Sequence, residues 1–151
     1  MLRLSKKADY ALMAVKHLAE RPSSPSTSAR EIAEQYDIPL ELMAKVLQRL
    51  VRAGLLVSTQ GTRGGYTLSR PSSAISVADV IQAIDGPFTV TVCSSENSGG
   101  CEQYGKCSIR DTLWQIRERI AATLGMVTMA EMAASSDAAH TPMAHAAVIR
   151  R

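Results

Sequence analysis

Ser28-Ala29-Arg30-Glu31-Ile32-Ala33-Glu34-Gln35-Tyr36-Asp37-Ile38-Pro39-Leu40-Glu41-Leu42-Met43-Ala44-Lys45-Val46-Leu47-Gln48-Arg49-Leu50-Val51-Arg52-Ala53-Gly54 is the stretch that decides the fold. It opens on an S-x-x-E capping box, in which a serine hydroxyl and a glutamate three residues on satisfy each other's backbone N–H groups. That starts a short helix through about residue 35. Residues 36–39 make a turn, and a second helix runs over about residues 40–53. Its positions Leu40, Met43, Val46, Leu47, Leu50 and Val51 recur at helical spacing and make one inner face. Gly54 stands where a glycine stop belongs. Two short helices joined by a tight turn are the pattern of a helix-turn-helix.

The segment after Gly54 strengthens that reading. Residues 55–59 and 66–69 are β-prone runs on either side of Gln60-Gly61-Thr62-Arg63-Gly64-Gly65, so a hairpin is expected directly after the helix-turn-helix. A hairpin in that place is a wing. Arg63 and Gly64 at its tip are candidate DNA contacts, an arginine between glycines being suited to enter a minor groove or grip phosphate. On the second helix, Glu41, Ala44, Lys45, Gln48, Arg49 and Arg52 face outward. Lys45 and Gln48 have the chemistry to read base edges; Arg49 and Arg52 suit phosphate contacts or a solvated face. Charge agrees: residues 1–70 hold 11 Lys/Arg against 6 Asp/Glu, whereas residues 71–151 hold 6 against 8. A basic first part joined to a mildly acidic second part suits a nucleic-acid-binding unit with a regulatory one.

Upstream, Ser5 caps a helix expected over about residues 6–20, with Ala8, Ala11, Leu12, Val15, Leu18 and Ala19 on its apolar face. Downstream, Ser76 opens a helix to about residue 84, which Asp85-Gly86-Pro87 stops. An extended segment over 88–92 leads to a polar loop. Ser108 is then expected to cap a long helix ending near Leu124, before Gly125. Its stripe Leu113, Ile116, Ile120 and Leu124 needs a partner surface, and homodimerisation through this helix is the natural reading. Thr128 to Glu131 is a further capping box, opening a short terminal helix. Residues 135–151 are rich in Ala without period and read as a disordered tail. The expected fold is therefore mainly α with a small β wing. It comprises a winged helix-turn-helix over 1–70, a cysteine-loop and dimerisation region over 71–134, and the tail.

All three cysteines, Cys93, Cys101 and Cys107, fall on the polar loop in a C-x7-C-x5-C spacing. Cysteines that only fill a core sit in apolar elements, so three on one polar loop suggest chelation. No C-x2-C pair of the zinc-knuckle kind is present. Gaps of seven and five let a loop wrap something larger than one ion, with Gly99, Gly100 and Gly105 easing the wrap. An iron–sulfur cluster, zinc and a bare thiol-redox site all remain open on the residues alone. A disulfide would leave one thiol over.

The remaining composition narrows the classes. No apolar run approaches a membrane span and the start carries no apolar signal core, so a cytoplasmic protein with no membrane partner is expected. No nucleophile–base constellation or phosphate-cradling loop appears, so no enzymatic activity is expected.

Leu2-Arg3-Leu4-Ser5 before Asp9-Tyr10-Ala11, then Arg52-Ala53-Gly54-Leu55, then Gly61-Thr62-Arg63-Gly64-Gly65-Tyr66 form a recognisable series. Ser76-Val77-Ala78-Asp79-Val80-Ile81 and the cysteine loop running into Leu113-Trp114 continue it. Over roughly residues 1–134 the chain resembles the iron–sulfur winged-helix regulators typified by IscR, NsrR and RirA. The resemblance implies a homodimeric repressor or dual regulator. It would bind a pseudo-palindromic double-stranded DNA operator, with a cluster held by Cys93, Cys101 and Cys107. The C-x7-C spacing is similar to RirA-type members. In IscR-type members a histidine three residues past the last cysteine completes the site; here that position is Arg110. In NsrR-type members an aspartate of the first helix, from the partner subunit, completes it, and Asp9 matches that position. These departures favour a 4Fe–4S over a 2Fe–2S cluster. The alternatives are a thiol-redox or zinc-responsive regulator and, more remotely, an electron-transfer or cluster-carrier protein, which leaves the wing and the basic first part unexplained.

Overall fold

The structure is a computed structural model and describes residues 3–24, 26–91 and 101–135. In chain order the elements are α1 (Lys6–Ala19), α2 (Ala29–Gln35), α3 (Leu40–Arg52), β1 (Leu56–Thr59), β2 (Gly65–Leu68), α4 (Val77–Asp85), α5 (Arg110–Met126) and α6 (Met129–Ala134). Short 3-10 turns lie at Ser72–Ala74 and Tyr104–Lys106.

Local capping sets most helix starts. Ser5 accepts from the Ala8 N–H at the head of α1. Ser28 with Glu31, Ser76 with Asp79 and Thr128 with Glu131 form complete capping boxes for α2, α4 and α6. Between α2 and α3 the chain turns through Asp37 at φ 51°, a left-handed conformation that aspartate tolerates better than most side chains. Buried Ile38 pins this turn, its N–H bonding the Ala33 carbonyl. On α3, Met43, Val46, Leu47 and Leu50 are buried as the periodicity requires. Leu40 is exposed instead, because it lies in the first turn beyond the edge of the core.

β1 and β2 pair antiparallel, with Leu56 opposite Leu68 and Thr59 opposite Gly65. Thr27 adds one bridge to the outer edge, exchanging backbone bonds with Tyr66 at 3.1 and 2.8 Å. This tight approach explains Gly65: a Cβ there would lie 2.6 Å from the Thr27 carbonyl oxygen. The hairpin is thus stitched to the α1–α2 connection.

One apolar core runs through the whole arrangement. It joins Ala11, Ala14 and Val15 of α1, Ile32 of α2 and the buried face of α3 to Ile75, to Val80, Ile81 and Ile84 of α4, and to Met129 of α6. α6 is anchored by Met129, which is fully buried and donates its N–H to the Ile75 carbonyl at 2.8 Å.

α5 departs from expectation at both ends. It begins at Arg110, preceded by Ile109 without a side-chain cap, and not at a Ser108 cap. The 3-10 turn over Tyr104–Lys106 runs into it, and the Arg110 guanidinium holds the Tyr104 carbonyl at 3.2 Å and the Asp111 carboxylate at 2.9 Å. Gly125 lies inside the helix. The stop falls at Val127, whose extended backbone presents its carbonyl to the Val77 N–H at 2.9 Å. A contact distant in sequence, not the glycine, ends the helix. No residue of this 17-residue helix is fully buried, and Ile109, Trp114, Ile116 and Met126 are exposed. The reading of residues 136–151 as a tail lies outside the described residues.

Candidate nucleic-acid interface and cysteine loop

Because α3 buries one face against α1 and α4, the opposite face is free to carry charge. Lys45, Gln48, Arg49 and Arg52 are all exposed on it. Together with Leu42, Val46 and Lys7 of α1 they line a shallow groove of about 230 Å³. Lys7 was not singled out from sequence, since nothing local to α1 places it beside α3. Lys45, Gln48 and Arg52 make no side-chain hydrogen bond among the described residues. Arg49 does: its Nη1 donates to the Ile84 carbonyl, the last turn of α4, at 2.9 Å.

The wing tip is fixed by its backbone and free in its side chain. The Ser26 hydroxyl donates to the Arg63 carbonyl at 2.8 Å, while Arg63 itself is exposed. At Gly64 a Cβ would meet the Thr59 carbonyl oxygen at 2.5 Å, so the tip is as tight as glycine permits. The structure thus carries an exposed cationic face on α3 and an exposed arginine on the hairpin that follows it. Such a surface neutralises phosphates and enters grooves.

Of the three sequence-assigned thiols, Cys101 and Cys107 are half-buried and neither forms a disulfide. They flank the 3-10 turn at Tyr104–Lys106, where the Tyr104 N–H bonds the Cys101 carbonyl at 3.1 Å. Gly105 adopts an ordinary φ in that turn. Cys93 lies outside the described residues. Asp9 sits half-buried in the first turn of α1, beside a recess shared with Arg3, Leu4, Ser5, Lys6 and Asp85. Among the described residues, no three His, Cys, Asp or Glu side chains come together closely enough to hold a metal ion. Two unpaired thiols on one short polar turn are nonetheless a donor set that suits a soft metal or an iron–sulfur cluster. Also among the described residues, no helix is long and apolar enough to cross a membrane.

The fold and the exposed cationic face define a winged-helix DNA-binding regulator. Residues 4–135 match the Rrf2 family, described as iron-dependent transcriptional regulators, and the chain belongs to that family. Among its relatives, the HTH-type transcriptional regulator IscR of Yersinia pseudotuberculosis is 33% identical over 137 residues, covering 90% of this chain and 82% of that protein. Among solved structures, CymR, the global cysteine regulator of B. subtilis, superposes with a TM-score of 0.73 at 27% identity, covering 91% of this chain and 100% of the other. IscR of T. potens superposes with a TM-score of 0.71 at 25% identity, covering 92% and 91%.

Proposed function

We propose that this protein is an iron–sulfur cluster-dependent transcriptional regulator acting as a homodimer on a pseudo-palindromic operator. The observation that carries the proposal is the position of Cys101 and Cys107: unpaired, half-buried, and on the approach to α5, which packs against the winged helix through α4. Residues 1–70 bind DNA in this reading, and residues 71–134 hold the cluster and the dimer contact. Cys93, Cys101 and Cys107 are the protein ligands, with Asp9 of the second copy as the fourth. Lys45 and Gln48 read bases; Arg52, Arg63 and the backbone at Gly64 hold the duplex. When bound, the cluster supplies a centre that iron supply, oxygen or nitric oxide alters. The stripe of Leu113, Ile116 and Ile120 on α5, none of it fully buried within one chain, supports a second copy as its cover, since apolar surface left in water is costly. The family's description as iron-dependent regulators supports targets in iron–sulfur assembly or iron homeostasis.

The likeness to CymR supports a second reading, in which the same thiols respond directly to oxidation or to a thiol metabolite. One experiment separates the two: anaerobic purification with a visible spectrum and iron and sulfide analysis of one sample. A broad visible absorbance with iron matching sulfide supports the cluster, and about four of each supports the site completed by Asp9. A colourless protein that stays colourless after reconstitution overturns it in favour of the thiol reading. In Cys107→Ser the cluster should be lost while the far-ultraviolet circular dichroism is kept.

A further inference from the structure

Residues 84–88 form a corner to which three helices are fastened. Ile84 and Asp85 belong to the last turn of α4, where backbone carbonyls have no partner within the helix. The Ile84 carbonyl receives Arg49 from α3 at 2.9 Å. This places a guanidinium at the negative end of the α4 dipole, a favourable position for a cation. The Asp85 carboxylate accepts from the Ser5 hydroxyl at 2.6 Å and from the Ser5 N–H at 3.3 Å. Ser5 in turn caps α1 through the Ala8 N–H. Gly86, at φ 82°, turns the chain sharply out of α4. Two residues further, the Phe88 carbonyl accepts from Arg117 Nε of α5 at 2.8 Å, with that guanidinium also over the Trp114 ring. From this corner the chain proceeds to Cys93.

We propose that Arg49 is a positioning residue, which sets the recognition helix α3 from the α4 corner and so carries the state of the cysteine loop to the DNA-reading face. Of the five outward polar side chains of α3, Glu41, Lys45, Gln48, Arg49 and Arg52, Arg49 alone is committed to a protein acceptor among the described residues. That acceptor is a backbone group of the segment that leads into the cysteine loop. A shift of the corner moves the anchor of α3, and with it the register of Lys45 and Gln48 in a groove. Lys45, Gln48 and Arg52 are left for the duplex.

The inference rests on the cluster-dependent reading above, and its test keeps the two apart. A duplex selected from random sequence by the wild-type protein serves as probe. Its dissociation constant is measured for the cluster-loaded and the cluster-stripped protein across a salt series. The proteins are wild type, Arg49→Met and Arg52→Met. Methionine keeps an unbranched stem and good helix propensity, and circular dichroism checks the fold; Arg49→Gln repeats the test should the methionine variant fold poorly. For Arg49→Met the ratio of loaded to stripped affinities should collapse toward one, with the salt slope kept. For Arg52→Met both affinities should weaken by the same factor and the slope should fall by about 0.9, the loss of one phosphate contact. If Arg49→Met instead weakens both forms equally and lowers the slope, Arg49 is a phosphate contact and the inference is overturned while the reading stands. If the wild-type protein binds equally loaded and stripped, the cluster-dependent reading falls and takes the inference with it.

Discussion

His17 Nδ1 of α1 lies 3.3 Å from the Tyr36 hydroxyl at the end of α2, with the two rings edge to face and their centroids 5.7 Å apart. His17 is only 3% exposed, and among the described residues its Nε2 has no hydrogen-bond partner. Burial, with a smaller contribution from the nearby Arg21 charge, holds the imidazole pKa below its ordinary 6.5; Lys16 acts the same way, while Glu20 and Glu31 pull against them. Burial likewise pushes the Tyr36 hydroxyl up, so the pair stays neutral at physiological pH.

This pair makes stability pH-dependent. The unfolded chain takes up the His17 proton near pH 6.5, and the folded chain takes it up only at lower pH. Between those points the unfolded state binds more protons, so stability rises with pH. The contribution is complete above about pH 6.5 and is lost as pH falls through the depressed folded value. The melting temperature should therefore drop between about pH 7.5 and 5.5. His17→Phe, which keeps a ring in the site, should flatten that part of the curve; an unchanged slope would assign it to other groups.

Gly65 should not tolerate a side chain. In Gly65→Ala the new methyl meets backbone, not a flexible side-chain end, so the Thr27–Tyr66 bridge must open. A loss of about 1–3 kcal/mol in denaturant unfolding is expected, as for other overpacked positions. Faster amide exchange at Thr27 and Tyr66 should accompany it.

Arg63 should behave in the opposite way. Its side chain is exposed and only its backbone carbonyl is used by Ser26, so Arg63→Ala should leave the melting temperature unchanged. Operator affinity should fall and the salt slope should lessen by about 0.9. Unchanged binding would remove the wing from DNA recognition.

Ile116 tests the role of α5. Ile116 is 40% exposed and Trp114 36% exposed within a single chain. Sedimentation of the wild-type protein should give a dimer, and Ile116→Glu should give a folded monomer with weakened operator binding. A variant that remains dimeric would place the subunit contact elsewhere.

The parts of this fold that were legible in the sequence are those written locally. The capping boxes at Ser28 and Thr128 and the helix start at Ser76 need only residues a few positions apart, and the structure reproduces each, with Asp79 completing a box at Ser76 as well. The buried stripe of α3 follows from period alone. The Ser108 cap and the Gly125 stop failed because contacts beyond capping range decide those ends: Arg110 reaches back to the Tyr104 carbonyl, and Val127 meets Val77, distant in sequence. The periodicity of α1 found its apolar face but passed over His17, a polar residue that only the approach of Tyr36 makes tolerable inside. The cationic groove was half visible. Lys45, Gln48 and Arg52 follow from helix geometry, whereas Lys7 joins them only through packing of α1 on α3, and the Arg49 contact spans 35 positions.

The shared core has a consequence for modularity. Ile75, the α4 face and Met129 fill the same interior as α1 and α3, and Ser76 and Thr128 bridge across it. Cutting after residue 70 would strip α1 of the α4 and α6 surfaces packed against it. The reader head is therefore not a cassette. Grafting a different sensory loop onto this scaffold requires α4 and α6 to travel with the helix-turn-helix, so that only the segment between the α4 corner and α5 is free to be exchanged.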